Sequence, residues 1–217
     1  MKYTTNWLIA ILLTTGVTSQ AVTIAEQADL RFIVGEGSNL STLVIDFNDG
    51  TERESFAWGY RWEVSASGED LFRAIVAADP QLLANEGSFI NEISYVGELA
   101  NHQGIGSYPG NSWNYFIAGG FAGDEDTTDG IVGTPTPIAG GGENFPTDFV
   151  SSPVGFTAVS FNESGRLLSD GSWDRWSFGP FPDEGTIEAP FAVIPEPQMW
   201  TLLGLSALGM LSKRKRS

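Results

Sequence analysis

The chain has 217 residues, a formal net charge of −16, no cysteine and a single histidine. Without cysteine there is no thiol nucleophile, no thiolate zinc site and no disulfide framework. The acidic balance repels nucleic acid and anionic membranes and draws cations, so binding to a phosphate backbone is excluded as the main activity.

The chain begins with the pattern of a signal peptide. Lys2 supplies a positive first region, Trp7 to Val17 is mostly apolar, and Ser19-Gln20-Ala21 fits the small-x-small pattern that precedes a signal-peptidase cut after Ala21. Residues 22–194 then form one extracytoplasmic domain. Of its charged residues, six arginines stand against 26 acids, a net charge of −20 without a lysine. An exported protein could have used disulfides, so this one relies on an apolar core. With seven Trp and 14 Phe in the full chain, there is ample apolar material for one.

Leu30 to Val34 reads as a first strand, followed by turn chemistry at Gly35-Glu36-Gly37-Ser38-Asn39. Thr42 to Phe47 is a β-branched and apolar run that ends in Asn48-Asp49-Gly50, a strong turn signal. Ser55 to Val64 then places Phe56, Trp58, Tyr60 and Trp62 at period two, the cleanest strand pattern in the chain. Together these predict a hairpin whose aromatic stripe is expected to face the core, the alternative being an exposed stacking platform for a sugar or another flat ligand. Arg61, on the opposite face, is expected to pair with acidic neighbours.

One helix is predicted. Ser67 or Gly68 starts it, Glu69 and Asp70 suit its first turn, and Leu71, Phe72, Ile75 and Val76 form its apolar stripe. Asp79-Pro80 ends it. Phe89 to Val96 predicts a strand, residues 97–111 a loop holding a solvated His102, and Ser112 to Ala118 an aromatic strand. Residues 119–153, rich in Gly, Pro, Thr and Asp, read as one long excursion. Phe156 to Phe161 and Ser172 to Phe178 read as the last strands, and residues 180–194 as a linker. The fold class is therefore α+β, a mostly antiparallel β domain with one packed helix. A signal helix and a C-terminal hydrophobic helix flank it.

The last 23 residues follow a set order: Pro195-Glu196-Pro197, an apolar run from Met199 to Leu211, and the basic cluster Lys213-Arg214-Lys215-Arg216. As a helix the 13-residue run would be about 20 Å long. A permanent anchor must span about 30 Å. Gly204 and Gly209 weaken the run further as a helix. The basic cluster favours the cytoplasmic side, and the two prolines keep the approach extended. An ordinary tail anchor or an amphipathic helix is the alternative, but the run carries no polar stripe. This layout resembles the PEP-CTERM tail of Gram-negative surface proteins. The resemblance implies an inner-membrane exosortase that cuts near the tripeptide. It also implies transit through the inner membrane and delivery to the cell surface or extracellular matrix. Signal peptidase and exosortase are then the expected partners.

The order of Gly68 to Asp79, Phe89 to Gly97, Ser112 to Gly119 and Leu167 to Phe178 resembles the small β-rich C-terminal domain of transcobalamin-like proteins. There a helix packs on a small sheet and an aromatic strand contacts a corrinoid. The resemblance puts Trp113 and Tyr115 in the stacking position.

Catalytic chemistry has little to build on. A Ser-His-Asp triad would have to use His102, and no Gly-x-Ser-x-Gly elbow accompanies it. Asp124, Glu125, Asp126 and Asp129 put four carboxylates in six residues of the long loop. Such a loop admits calcium, although the spacing is not that of an EF-hand. No other cofactor is expected. The sequence reading is thus a non-enzymatic, exosortase-processed surface or matrix protein. A surface receptor for a corrinoid or glycan is the alternative.

Overall fold

The structure, a computed structural model, describes residues 24–30, 32–49, 55–86, 90–97, 101–107, 110–122, 136–151, 166–180 and 192–193. These residues form mostly strands, in antiparallel and mixed sheets, with one α-helix. In chain order the elements are β1 (Ile33–Gly35), β2 (Asn39–Asp46), β3 (Ser55–Trp62), α1 (Gly68–Ala78), β4 (Leu82–Glu86), β5 (Ile90–Val96) and β6 (Asn101–Ile105). After them come β7 (Asn111–Ala118), β8 (Phe121–Ala122), β9 (Thr136–Pro137), β10 (Val150–Ser151), β11 (Trp173–Pro180) and β12 (Ala192–Val193). The strand expected over Phe156 to Phe161 and both expected flanking helices lie outside the described residues.

The main sheet runs β1-β3-β2-β11-β7-β10, and β12 also pairs with β3. The hairpin predicted from the Asn48-Asp49-Gly50 signal is β2 with β3, antiparallel from Asn39↔Trp62 to Asp46↔Ser55. Asn48 takes φ 46°, a left-handed conformation that Asn tolerates, and its N–H donates to Asp46 Oδ1 at 3.2 Å. β11 lies between β2 and β7, parallel to the first and antiparallel to the second.

Alternation along the strands divides the sheet into two faces. Leu43 and Ile45 of β2, Phe56, Trp58 and Trp62 of β3, Trp113, Tyr115 and Ile117 of β7, and Trp176 of β11 fill the larger core. The aromatic stripe of β3 thus faces inward, as read from its period. Val44, Ala57, Phe116, Ala118 and Trp173 face the other way, under Ile24, Leu30 and Phe149.

Helix α1 covers the larger core with Leu71, Phe72 and Ile75. Ser67 caps it: its Oγ accepts the Asp70 N–H at 3.1 Å, and the Asp70 carboxylate accepts the Ser67 N–H at 2.9 Å. This reciprocal arrangement satisfies two donors that the helix start leaves free. Asp79 closes the other end. Its carboxylate accepts the Trp58 indole N–H at 2.9 Å and the Gln81 N–H at 3.0 Å, which ties the helix end to β3.

A second sheet, β4-β5-β6, packs beside α1 on the same core. Two of its strands correct the sequence reading. β4 lies between the predicted helix end at Asp79-Pro80 and the strand predicted from Phe89, where the sequence predicts no element, and β6 lies within the predicted loop 97–111. The long excursion over 119–153 is also not featureless. β8 pairs with β9, and β10 pairs with β7.

Candidate functional site

Among the described residues, three groups of buried polar side chains pair a basic residue with an acid. The first holds the histidine. His102 is 3% exposed rather than solvated, because β6 turns His102 and Gly104 inward and Gln103 and Ile105 outward. Its ring stacks on Phe47 at 5.2 Å and meets Phe56 edge-on at 5.3 Å. Nδ1 lies 2.6 Å from Asp49 Oδ2, in the β2–β3 turn, and the Asp49 side chain is 31% exposed. A carboxylate only accepts, so Nδ1 carries the proton and donates. Nε2 is buried with no hydrogen-bond partner among the described residues. The geometry is that of an imidazole oriented by an acid, with its second nitrogen unbonded among the described residues. A general base also needs a proton within hydrogen-bond reach. No hydroxyl of the described residues bonds Nε2, so no triad is assembled among them.

The second group joins Arg166, Asp174 and Tyr115. Arg166 Nε and Nη2 both donate to Asp174 Oδ1, at 3.0 and 2.6 Å, and Nη1 donates to the Gly119 carbonyl at 2.5 Å. The Tyr115 hydroxyl donates to Asp174 Oδ2 in a short hydrogen bond. Burial, then the Asp174 charge, pushes the Tyr115 phenol well above its ordinary range. Burial works against the Arg166 charge, but Asp174 and Tyr115 more than offset it and hold the guanidinium above its ordinary value. Gly68 makes the approach possible: a Cβ there would lie 2.6 Å from the Tyr115 hydroxyl and 2.8 Å from Asp174 Oδ2.

The third group lies on the opposite face of the sheet. Arg175 Nη2 donates to Asp46 Oδ2 at 2.5 Å, and Ser55 Oγ donates to Asp46 Oδ1 at 3.0 Å. Arg61, expected beside acids, donates instead to the Gly37 carbonyl at 3.4 Å.

The two expected stacking residues are inside the core. Trp113 is 5% exposed, packs against Phe47 and Phe178, and donates its indole N–H to the Gly104 carbonyl at 3.0 Å. Tyr115 is 7% exposed and stacks on Trp176 at 4.4 Å, with its hydroxyl held by Asp174. The acidic loop residues Asp124, Glu125, Asp126 and Asp129 lie outside the described residues. So do Ala21, the tripeptide Pro195, Glu196 and Pro197, and the basic cluster Lys213, Arg214, Lys215 and Arg216. Among the described residues no group of three or more histidine or acidic side chains could hold a metal ion, and no helix is long and apolar enough to cross a membrane.

Sequence reading missed the partners of His102 and Arg166. Asp49 lies 53 positions from His102 and is already explained by its turn, and Asp174 gives no local sign of an ion pair. No protein-family model, curated protein or solved structure matches this chain.

Proposed function

We propose that this chain is an exported bacterial surface or extracellular-matrix protein. On this reading it is cut by signal peptidase after Ala21 and by an exosortase near Pro195, and it acts without chemistry of its own. One observation carries the reading: the order of Pro195-Glu196-Pro197, the 13-residue apolar run and Lys213-Arg214-Lys215-Arg216. The lysine-free acidic body suits a protein kept soluble in a crowded extracellular layer. The rival reading, a corrinoid or glycan receptor, asks Trp113 and Tyr115 to meet a ligand, and both side chains face the core.

Intact mass and cell fractionation test the proposal, with the chain expressed in an exosortase-containing host and in the same host without the enzyme. Loss of residues 1–21 and of the tail beyond about Pro195 is expected, the second loss only where exosortase is present. A full-length tail that stays in the inner membrane of both hosts would make it a plain anchor.

A further inference from the structure

The outer edge of β3 is shared by two short strands from distant parts of the chain. β1 pairs with Gly59–Arg61, and β12 pairs parallel with the other end, Ala192 opposite Ser55 and Val193 opposite Phe56. Ser55 and Phe56 are buried there, and Ser55 is tied to Asp46 by its hydroxyl. An uncovered strand edge presents main-chain donors and acceptors to any passing strand. β12 closes that end of the edge with a segment of the same chain.

The position of β12 in the sequence gives it a second consequence. Only Ile194 separates Val193 from Pro195. An extended chain covers at most about 3.6 Å per residue, so Pro195 starts within about 7 Å of the docked Val193. A protease that reads an extended substrate takes hold of main chain on both sides of the bond that it cuts. The main chain just before the tripeptide is the part held by β3.

We propose that the β3 edge at Ser55–Phe56 is a docking site for the chain's own Ala192–Val193 segment, and that docking shields the Pro195-Glu196-Pro197 motif from processing. This rests on the sorting reading given above. The ladder is two residues long and parallel, the less stable pairing, so it opens readily and the folded domain holds the motif back without blocking it for good. Processing then proceeds from the undocked fraction of molecules, and its rate falls in proportion to that fraction.

Two measurements on the full chain test this. In spheroplasts of a host without exosortase, thermolysin, which cuts on the amino side of aliphatic residues, is added from outside. It should cut the Ala192–Val193 bond about tenfold or more slowly than in a synthetic peptide of residues 188–197, the ratio expected if about a tenth of the segments are undocked. Equal rates would overturn docking. In the exosortase-containing host, a flexible spacer of about six Gly and Ser residues is inserted between Ile194 and Pro195. This moves the motif away from the edge without touching the domain. Pulse-chase labelling should show the tail lost severalfold faster than from the parent chain, and an unchanged or slower loss would overturn the shielding. A tail retained by parent and spacer variant alike, with or without exosortase, would reject the sorting reading and the shielding with it. The thermolysin ratio would still decide whether the segment docks.

Discussion

Arg166 with Asp174 and His102 with Asp49 both bury a basic side chain against an acid, and the two pairs are completed to different degrees. Around Asp174 each carboxylate oxygen has a donor, from Arg166 or from Tyr115, and Arg166 also reaches the Gly119 carbonyl. A buried charge pair is tolerable in this form, because the hydrogen bonds offset the desolvation of both ions. Such a network also admits few other arrangements, which suits a clamp between the start of α1, β7 and β11. His102 has one firm hydrogen bond to a partly exposed acid, and its second nitrogen is buried with no partner among the described residues. The first pair reads as a permanent fixture and the second as a contact held mainly by ring packing.

The largest expected effect breaks the first pair. Arg166→Met leaves the Asp174 carboxylate buried without its counter-ion and should cost about 3–5 kcal/mol, measured as a shift of the urea unfolding midpoint. A cost below about 1 kcal/mol, the range of exposed ion pairs, would remove the distinction between the two sites.

Tyr115→Phe keeps the ring on Trp176 but takes a donor from Asp174, at an expected cost of about 1–3 kcal/mol. It should also change the alkaline limb of stability. The folded state holds this phenol well above its ordinary range, so the folded chain keeps a proton that the unfolded chain releases above about pH 10. The contribution is fully present below that pH and is lost as the pH rises through the folded value. Urea midpoints measured from pH 8 upward should therefore fall less steeply in the Phe variant than in the parent, and parallel curves would reject the assignment.

The smallest effect is expected at the second pair. His102→Phe preserves a ring against Phe47 and Phe56 and removes the nitrogen that has no partner among the described residues. It also gives up one hydrogen bond to a partly exposed acid, so the net change should stay within about 1 kcal/mol. A loss of about 3 kcal/mol would mean that the histidine is as firmly built in as Arg166.

How far the sequence discloses these features follows from where each residue finds its partner. The β2–β3 hairpin was legible because its turn and its period-two aromatics are local. The helix was legible because Ser67 and Asp70 cap its start with side chains three positions apart and Asp79-Pro80 ends it locally. β6 was hidden because its inward positions are His102 and Gly104 while apolar Ile105 points outward, which inverts the usual alternation. Gly104 is required there, since a Cβ would lie 2.5 Å from the Trp113 ring. β4 was hidden because Leu82-Leu83 does not alternate and comes only two positions after Pro80. Trp113 and Tyr115 were read as a strand correctly, but burial of that strand depends on α1 and β11, which no local pattern reveals. The buried pairs were illegible for the same reason: nothing local to Arg166 or Asp174 points to the other or to Gly119.

The parallel pairing of β2 with β11 puts strands from the two ends of the domain side by side at the centre of the sheet, with Thr42 opposite Trp173 and Ser177 opposite Asp46. Contacts between such distant parts of a chain form late and slow the overall folding rate. The hairpin made by residues 39–62 therefore has one flank open until β11 arrives, and the core stays unsealed until then. The topology thus delays completion of the central sheet until residues 173–180 are available to pair.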